Sequence, residues 1–198
     1  MTTNSAEIEG RLKKAFPAGI SHDVERVVGH LRNGKDSNLD LSPDSFSVKV
    51  DNESLMIPDR VYFEEVKPVV QLTFTSVQKE ILHCLYTRHH DGHVREKALK
   101  NIIRSKKVWV APYVIRLIGE YVIEILQIIF ENLDSIDSEI YKVFIKNNPE
   151  FYEVNKQRVI SYWNCYFRSQ YPNRPKSPNK NDHVGFKILK FFDGLVAA

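Results

Sequence analysis

The sequence predicts a mainly α protein, a multi-helical stack with a small β-hairpin in its N-terminal third. Of 198 residues, 42% are hydrophobic and 27% charged, so the chain has enough apolar material for a core and is not a disordered or collagen-like sequence. From Thr75 onward, apolar residues recur at helical spacing. Residues 46–50 instead alternate as a half-buried strand does. The stack would consist of α-solenoid-like helical hairpins or of a closed bundle.

Residues 1–74 are predicted to form a subdomain of two short helices and the hairpin. The first helix ends at Pro17, and Ser21 can cap the second. Residues 46–50 and 55–57 supply the two strands, and the polar residues 51–54 between them favour a turn. Because a two-stranded hairpin is marginal alone, we expect it to lean on the helices or to pair with residues 61–63 or 69–74.

Residues 75–198 are predicted to form a helical domain. Thr75 and Gln78 have the form of a capping box, and Pro112 and Pro149 suit the first turn of a helix. The proline-rich, basic stretch 172–180 predicts a loop. The six predicted helices span about residues 75–88, 91–103, 112–132, 134–147, 149–171 and 182–195.

The helix predicted over Pro112–Asn132 is the centre of this domain. Its polar residues fall within an arc of roughly 80°, and most of the remaining circumference is apolar. We therefore expect a rod enclosed by other helices, with its charges outside, rather than a membrane span. Gly119 inside it indicates close approach of a neighbouring backbone. The polar arc consists of Arg116, Glu120, Glu124, Gln127 and Glu131.

A possible repeat supports the stacked arrangement. The segment Asp91–Leu99, in which Asp91 is followed by Val94 and Arg95, resembles the start of the second helix of HEAT repeats. Asp91, Asp137 and Asp182 are separated by 46 and 45 residues, which is close to the spacing of helix-pair repeats. The resemblance implies three stacked helical hairpins; in a closed bundle, the spacing would be accidental.

Two groups of polar residues carry candidate chemistry. His83, His89, His90, Asp91 and His93 could centre a metal-dependent enzyme, but their spacing favours a polar turn in which histidines cap carbonyls. Glu120 and Glu124 could divide acid and base roles, although exposed carboxylates on a polar helix face explain them as well. Because the sequence contains no phosphate-binding glycine loop and no hydrolase or metalloprotease motif, we predict no catalytic residue, metal or cofactor.

The charges point to a macromolecular partner. Residues 1–75 carry a net charge of −3, residues 76–140 of zero and residues 141–198 of +6. Lysines and arginines of the second helices of the three hairpins could line a continuous groove. The predicted basic surface comprises Lys97, Lys100, Arg104, Lys106, Lys107, Lys142, Lys146, Arg174, Lys176, Lys187 and Lys190.

These observations favour a non-enzymatic helical module that binds a macromolecular partner. A protein partner is favoured because the acidic N-terminal part would repel phosphates, and nucleic-acid binding through the basic surface is the alternative. No membrane partner is expected. Cys84 and Cys165 are predicted to be buried free thiols, which fits a reducing compartment and a cytoplasmic location.

Overall fold

The protein is mainly α, as predicted, and carries an antiparallel hairpin in its N-terminal third. The computed structural model describes residues 5–32, 40–167 and 183–197. The chain divides into two compact units, residues 1–102 and residues 103–198. The domains predicted over 1–74 and 75–198 stay a prediction, because a grouping by contacts does not test independent folding. Within the described residues, no helix has the length and apolarity needed to cross a bilayer.

The first unit contains five helices within its described residues: α1 (Ser5–Lys13), α2 (Ser21–Arg32), α3 (Pro68–Gln71), α4 (Ser76–Tyr86) and α5 (Gly92–Ile102). Helix α2 packs on α1 and α4, and α4 packs on α5. The predicted capping box is confirmed, since the Gln78 amide donates to Thr75 Oγ1 at 3.2 Å and the Thr75 amide donates to Gln78 Oε1 at 3.1 Å. Gln78 Nε2 also donates to Asp23 Oδ1 at 2.7 Å, which joins the start of α4 to α2.

Four short strands complete the described part of the first unit: β1 (Asp40–Leu41), β2 (Ser45–Val50), β3 (Glu53–Pro58) and β4 (Val61–Tyr62). Strands β2 and β3 form the predicted hairpin, and its turn places Asp51 at a φ of 52°. The hairpin leans on α1, where the Met56 amide donates to the Lys14 carbonyl at 2.8 Å. Residues 61–62 pair with β1 rather than with the hairpin, and residues 68–71 are helical.

The described part of the second unit is a bundle of α6 (Ala111–Ile118), α7 (Ile123–Glu131), α8 (Ser138–Asn147), α9 (Pro149–Tyr162) and α10 (Val184–Ala197). Every residue of α6 is buried, and α6 packs on α7, α8 and α9. The last helix, α10, also packs on α7, α8 and α9. Because repeats of a solenoid contact only their neighbours, this packing favours the closed bundle over the solenoid within this unit.

The single central helix predicted over Pro112–Asn132 is wrong, because the chain leaves the helix after Ile118 and re-enters it at Ile123. Gly119 ends α6 against α9: a Cβ there would lie 3.0 Å from Asn155 Oδ1 and 3.1 Å from Arg158 Cβ. A neighbour is therefore close at Gly119, as predicted, but it consists of side chains of α9 rather than a backbone, and Gly119 ends the helix rather than lying inside it. The apolar residues on both sides of the break keep the same overall spacing, which hides the interruption in the sequence.

The prediction that the polar arc faces outward is wrong for two of its five members. Arg116 and Glu120 are each only 4% exposed, whereas Glu124, Gln127 and Glu131 on α7 are exposed. Arg116 Nη1 donates to Asn155 Oδ1 at 3.1 Å inside the bundle. Since Glu120 precedes α7 and is buried while Glu124 is exposed, the two carboxylates do not share a helix face.

The contact between α9 and α10 is tight at Gly185. A Cβ at this position would lie 2.8 Å from Val159 Cγ1 and 3.1 Å from His183 Nδ1. Polar contacts reinforce the pair, because Asp193 Oδ1 accepts from the Tyr152 hydroxyl at 3.1 Å and lies 3.0 Å from Lys156 Nζ. Of the cysteines, Cys84 is buried as predicted, but Cys165, in the π-helical residues Trp163–Phe167, is exposed.

We predict that Gly185→Ala destabilises the protein by about 1–3 kcal/mol, since the added methyl group has no space against Val159. Gly194→Ala in the same helix is the matched control, because nothing lies within 4 Å of its Cβ position. The control is expected to stabilise by about 0.5–1 kcal/mol through helix propensity. Urea unfolding of both variants measures the difference, and equal midpoints for the two would contradict the packing described for Gly185.

Candidate functional site

The predicted basic residues lie on several separate elements. Lys97 and Lys100 belong to α5 in the first unit, whereas the other described members belong to the second unit. All the described members are exposed except Lys142, which is half-buried. Arg174 and Lys176 lie outside the described residues. In the second unit, Arg104, Lys106 and Lys107 precede α6, Lys142 and Lys146 lie on α8, and Lys187 and Lys190 lie on α10.

The lysines of α5 are paired with carboxylates. Lys97 Nζ lies 3.2 Å from Glu65 Oε2, and Lys100 Nζ lies 2.7 Å from Glu96 Oε1. Exposed pairs of this kind contribute little to stability, but each places a negative charge beside the lysine. These two residues therefore add less positive potential to the surface than the sequence suggests.

Two basic residues of the second unit each contact a residue at the C-terminal end of α7. Arg104 Nε donates to Asn132 Oδ1 at 2.9 Å, and Lys187 Nζ lies 5.5 Å from the centre of the Phe130 ring. Cations near the last turn of a helix stabilise its partial negative charge. Support of α7 is therefore a sufficient structural role for both residues.

The described residues of the second unit carry little net charge. They include ten Lys and Arg residues and nine Asp and Glu residues, a net charge of +1. Residues 168–182, outside the described part, hold four of the basic residues and one of the acidic residues of the C-terminal third. The continuous basic groove therefore stays a prediction, and the described residues alone do not concentrate positive charge in the way that nucleic-acid binding favours.

The histidine cluster is divided between three elements: His89, His90 and Asp91 lie in the α4–α5 turn, residues 87–91, whereas His83 lies on α4 and His93 on α5. His89 is buried and uses both ring nitrogens, since Nε2 lies 2.8 Å from the Phe63 carbonyl oxygen and Nδ1 accepts from the Asp91 amide at 3.1 Å. These contacts fit the neutral tautomer with its proton on Nε2. Arg95 Nη1 donates to the carbonyls of His89 and His90, each at 2.8 Å. The interpretation as a polar turn between helices is therefore the one that the contacts support.

Strand β4 is attached to this turn through its backbone. The Val61 amide donates to the Arg88 carbonyl at 2.9 Å, and the His90 amide donates to the Val61 carbonyl at 3.1 Å. Arg88 is fully buried, and its Nη2 donates to the Asp59 carbonyl at 2.6 Å just before the strand. The turn thus holds β4 in place. Within the described residues, no three His, Cys, Asp or Glu side chains are grouped so that they could hold a metal ion.

His83, one member of the cluster, lies on α4 and is mostly buried. Burial, the largest cause, and the charges of Lys97 and Lys79 together lower the pKa of His83 to about 4, although Glu65 acts to raise it. Its Nδ1 is buried without a hydrogen-bond partner among the described residues. His83 is therefore neutral at physiological pH and belongs to the packing between α4 and α5.

A surface that the sequence analysis missed lies in the second unit, at the break between α6 and α7. Tyr121, Tyr162 and Tyr166 form it, and we call it the tyrosine surface. The ring centre of Tyr121 lies 5.9 Å from that of Tyr162 and 6.1 Å from that of Tyr166. The ring centres of Tyr162 and Tyr166 are 5.9 Å apart. Tyr121 is 52% exposed and Tyr166 is 53% exposed.

Local backbone irregularities bring these three rings together. Tyr121 lies in the non-helical residues between α6 and α7, Tyr162 is the last residue of α9, and Tyr166 lies in the π-helical residues that follow. A sequence interpretation that continues both helices places Tyr121 in the core and Tyr166 on an apolar stripe. The spacing of Tyr162 and Tyr166 by four residues is the signal that could have indicated a shared face.

We predict that Arg95→Met destabilises the protein by about 2–4 kcal/mol, because the carbonyls of His89 and His90 lose a charged donor in a buried place. Lys97→Met, two positions along the same helix, is the control. Since the Lys97 side chain is 69% exposed, we expect a change within about 0.5 kcal/mol. Chemical denaturation tests both, and an Arg95 variant as stable as the Lys97 variant would contradict the assigned role.

Acid should destabilise the protein through His83. Because its folded pKa is about 4 and its unfolded pKa is near 6.5, the unfolded state binds more protons between these values. The contribution of His83 is therefore complete above pH 6.5 and is lost as the pH falls toward 4. His83→Gln should flatten the dependence of unfolding free energy on pH in this window, measured by urea titrations from pH 7 to 4. An unchanged slope would contradict the burial of a neutral His83.

In the comparisons with known proteins, no protein-family model, no curated protein and no solved structure matches the chain. The contacts, exposure and charges of this chain's own residues are therefore the grounds for a functional proposal. In the described residues, the α4–α5 turn is occupied by internal contacts, whereas the tyrosine surface presents aromatic area to solvent.

Proposed function

We propose that this chain is a non-enzymatic helical module that binds a protein partner through the tyrosine surface. The exposure of two mutually packed tyrosines, Tyr121 and Tyr166, carries the proposal. Tyrosine supplies a large contact area at low cost in side-chain entropy, and its hydroxyl can hydrogen-bond at the edge of an interface. Tyr162, which contacts both rings, limits their movement and so prepares the surface for binding.

Charge favours a protein over a nucleic acid at this surface. Tyrosines can also stack on bases, but nucleic-acid affinity depends on neutralising phosphates. The described residues of the second unit carry a net charge of only +1, and Glu124 is exposed three residues after Tyr121. A protein segment that covers the rings with an apolar anchor and offers backbone groups to the hydroxyls fits this chemistry best.

We predict that replacing Tyr166 or Tyr121 with alanine weakens binding of the partner at least tenfold, because each ring loses most of its contact area. The partner is first identified by placing a photoreactive phenylalanine analogue at position 166 in cells. It is then purified and titrated by calorimetry against the full chain and its variants. Val154→Ala is the matched control, since Val154 is comparably exposed on α9, and it should change the Kd less than twofold.

A parallel titration with labelled single-stranded and duplex nucleic acids over a salt series tests the alternative. We expect no salt-dependent binding at low ionic strength. Salt-dependent binding that Tyr166→Ala abolishes would replace the protein partner by a nucleic acid. A purified partner that binds the alanine variants as tightly as the original chain would overturn the assignment of the tyrosine surface.

A further inference from the structure

A single neutral histidine joins three pieces of the first unit. The ring of His89 touches the Phe63 carbonyl just after β4 through Nε2 and the Asp91 amide at the start of α5 through Nδ1. His89 itself follows α4, and its backbone forms an isolated parallel β-bridge with Val61 of β4. We propose that His89 is an acid-sensitive latch, which holds β4 against the α4–α5 turn when neutral and releases this contact when protonated.

The chemistry of the two ring nitrogens makes the latch sensitive to one proton. In the neutral ring, Nε2–H donates to the Phe63 carbonyl and the lone pair on Nδ1 accepts from the Asp91 amide. A second proton binds at Nδ1 and converts the acceptor into a donor that faces the N–H of Asp91. The hydrogen bond to Asp91 is then lost, and a positive charge is placed in a site where His89 is only 5% exposed.

The surroundings of the ring include groups of both signs. Burial, the largest cause, lowers the pKa of His89, and the His90 ring at 4.3 Å acts in the same direction, whereas the hydrogen bond to the Phe63 carbonyl and the carboxylates of Asp91 and Glu65 act to raise it. The buried guanidinium of Arg95 also lies close by, since it donates to the His89 carbonyl, and Arg88, which is buried too, is the preceding residue in the chain. The charged and titratable groups around the latch are Glu65 after β4, Tyr86 from the end of α4, His90 and Asp91 in the turn, and Arg95 on α5.

Release of the latch has a defined consequence for β4. His89 lies between the two residues, 88 and 90, whose backbones are hydrogen-bonded to Val61. When its ring lets go of the Phe63 carbonyl and the Asp91 amide, these backbone hydrogen bonds are no longer supported by a side chain. Phe63 and Val66, both buried, follow directly along the chain. Val66 is also tied to the Tyr86 hydroxyl, which keeps the far end attached when the His89 contact opens. We therefore expect a local opening around Val61 and Asp91 rather than unfolding of the unit.

Amide hydrogen exchange by NMR on the full chain tests the proposal. Protection factors, which correct for the intrinsic effect of pH, are compared for Val61, His90 and Asp91 between pH 7.5 and 5. We expect protection at these amides to fall about tenfold for each pH unit below 6.5, until the pH reaches the folded pKa of His89. Amides in the middle of α4, such as Leu82, should stay better protected than Val61 and Asp91 at every pH, which excludes global unfolding as the route of exchange at the latch.

Two variants separate the latch from general acid sensitivity. His89→Gln keeps a donor for the Phe63 carbonyl but cannot titrate. The pH dependence of amide protection at Val61 and Asp91 should therefore disappear, while the pH dependence that His83 gives to the free energy of unfolding remains. His90→Gln removes the exposed neighbouring ring, which stacks on Tyr62 and lowers the pKa of His89, so the pH dependence should remain but end at a higher pH. Equal pH dependence in the original chain and in His89→Gln would overturn the proposal, and so would protection at Asp91 that does not change with pH.

Discussion

The fold depends on three arginines that are buried within it. A guanidinium removed from water needs acceptors, and the backbone has to be arranged to supply them. In the first unit, carbonyls of Asp59, His89 and His90 accept from Arg88 and Arg95, which fixes the α4–α5 turn and the start of β4. In the second unit, Asn155 on α9 accepts from Arg116 on α6.

The sequence was most informative where a local rule decides the structure. The capping box at Thr75 and Gln78 and the proline at the start of α9 depend on neighbours within one turn, and both were predictable. A close neighbour at Gly119 was also predictable, because glycine is costly in an apolar helical pattern, but that this neighbour is a pair of side chains at a helix end was not. The break after Ile118 was not, since it depends on α9, which lies more than thirty residues further along the chain.

Arg116 shows why charge alone is a poor guide to the outside of a helix. Its spacing from Glu124, Gln127 and Glu131 predicts one polar face, but the partner that makes its burial tolerable, Asn155, lies on another helix. No pattern within residues 112–132 contains that information. Arg95 is similar, because its acceptors are carbonyl oxygens of the preceding turn, which every residue type supplies and no sequence pattern reveals.

In the candidate site, the residues that stand out in the sequence differ from those that stand out in the structure. Lysines and arginines are conspicuous in a sequence, but in the structure Lys97 and Lys100 face carboxylates and Arg104 supports the end of α7. A periodicity argument counts tyrosines as core residues, but here two of them lie on the surface. Tyr121 is exposed because α6 ends before it, and Tyr166 is exposed in the π-helical residues that follow α9. An exposed aromatic group created by helix irregularities stands out against the nearly balanced charge of the described residues of the second unit, which is the physical reason for proposing a binding surface there rather than along the lysines.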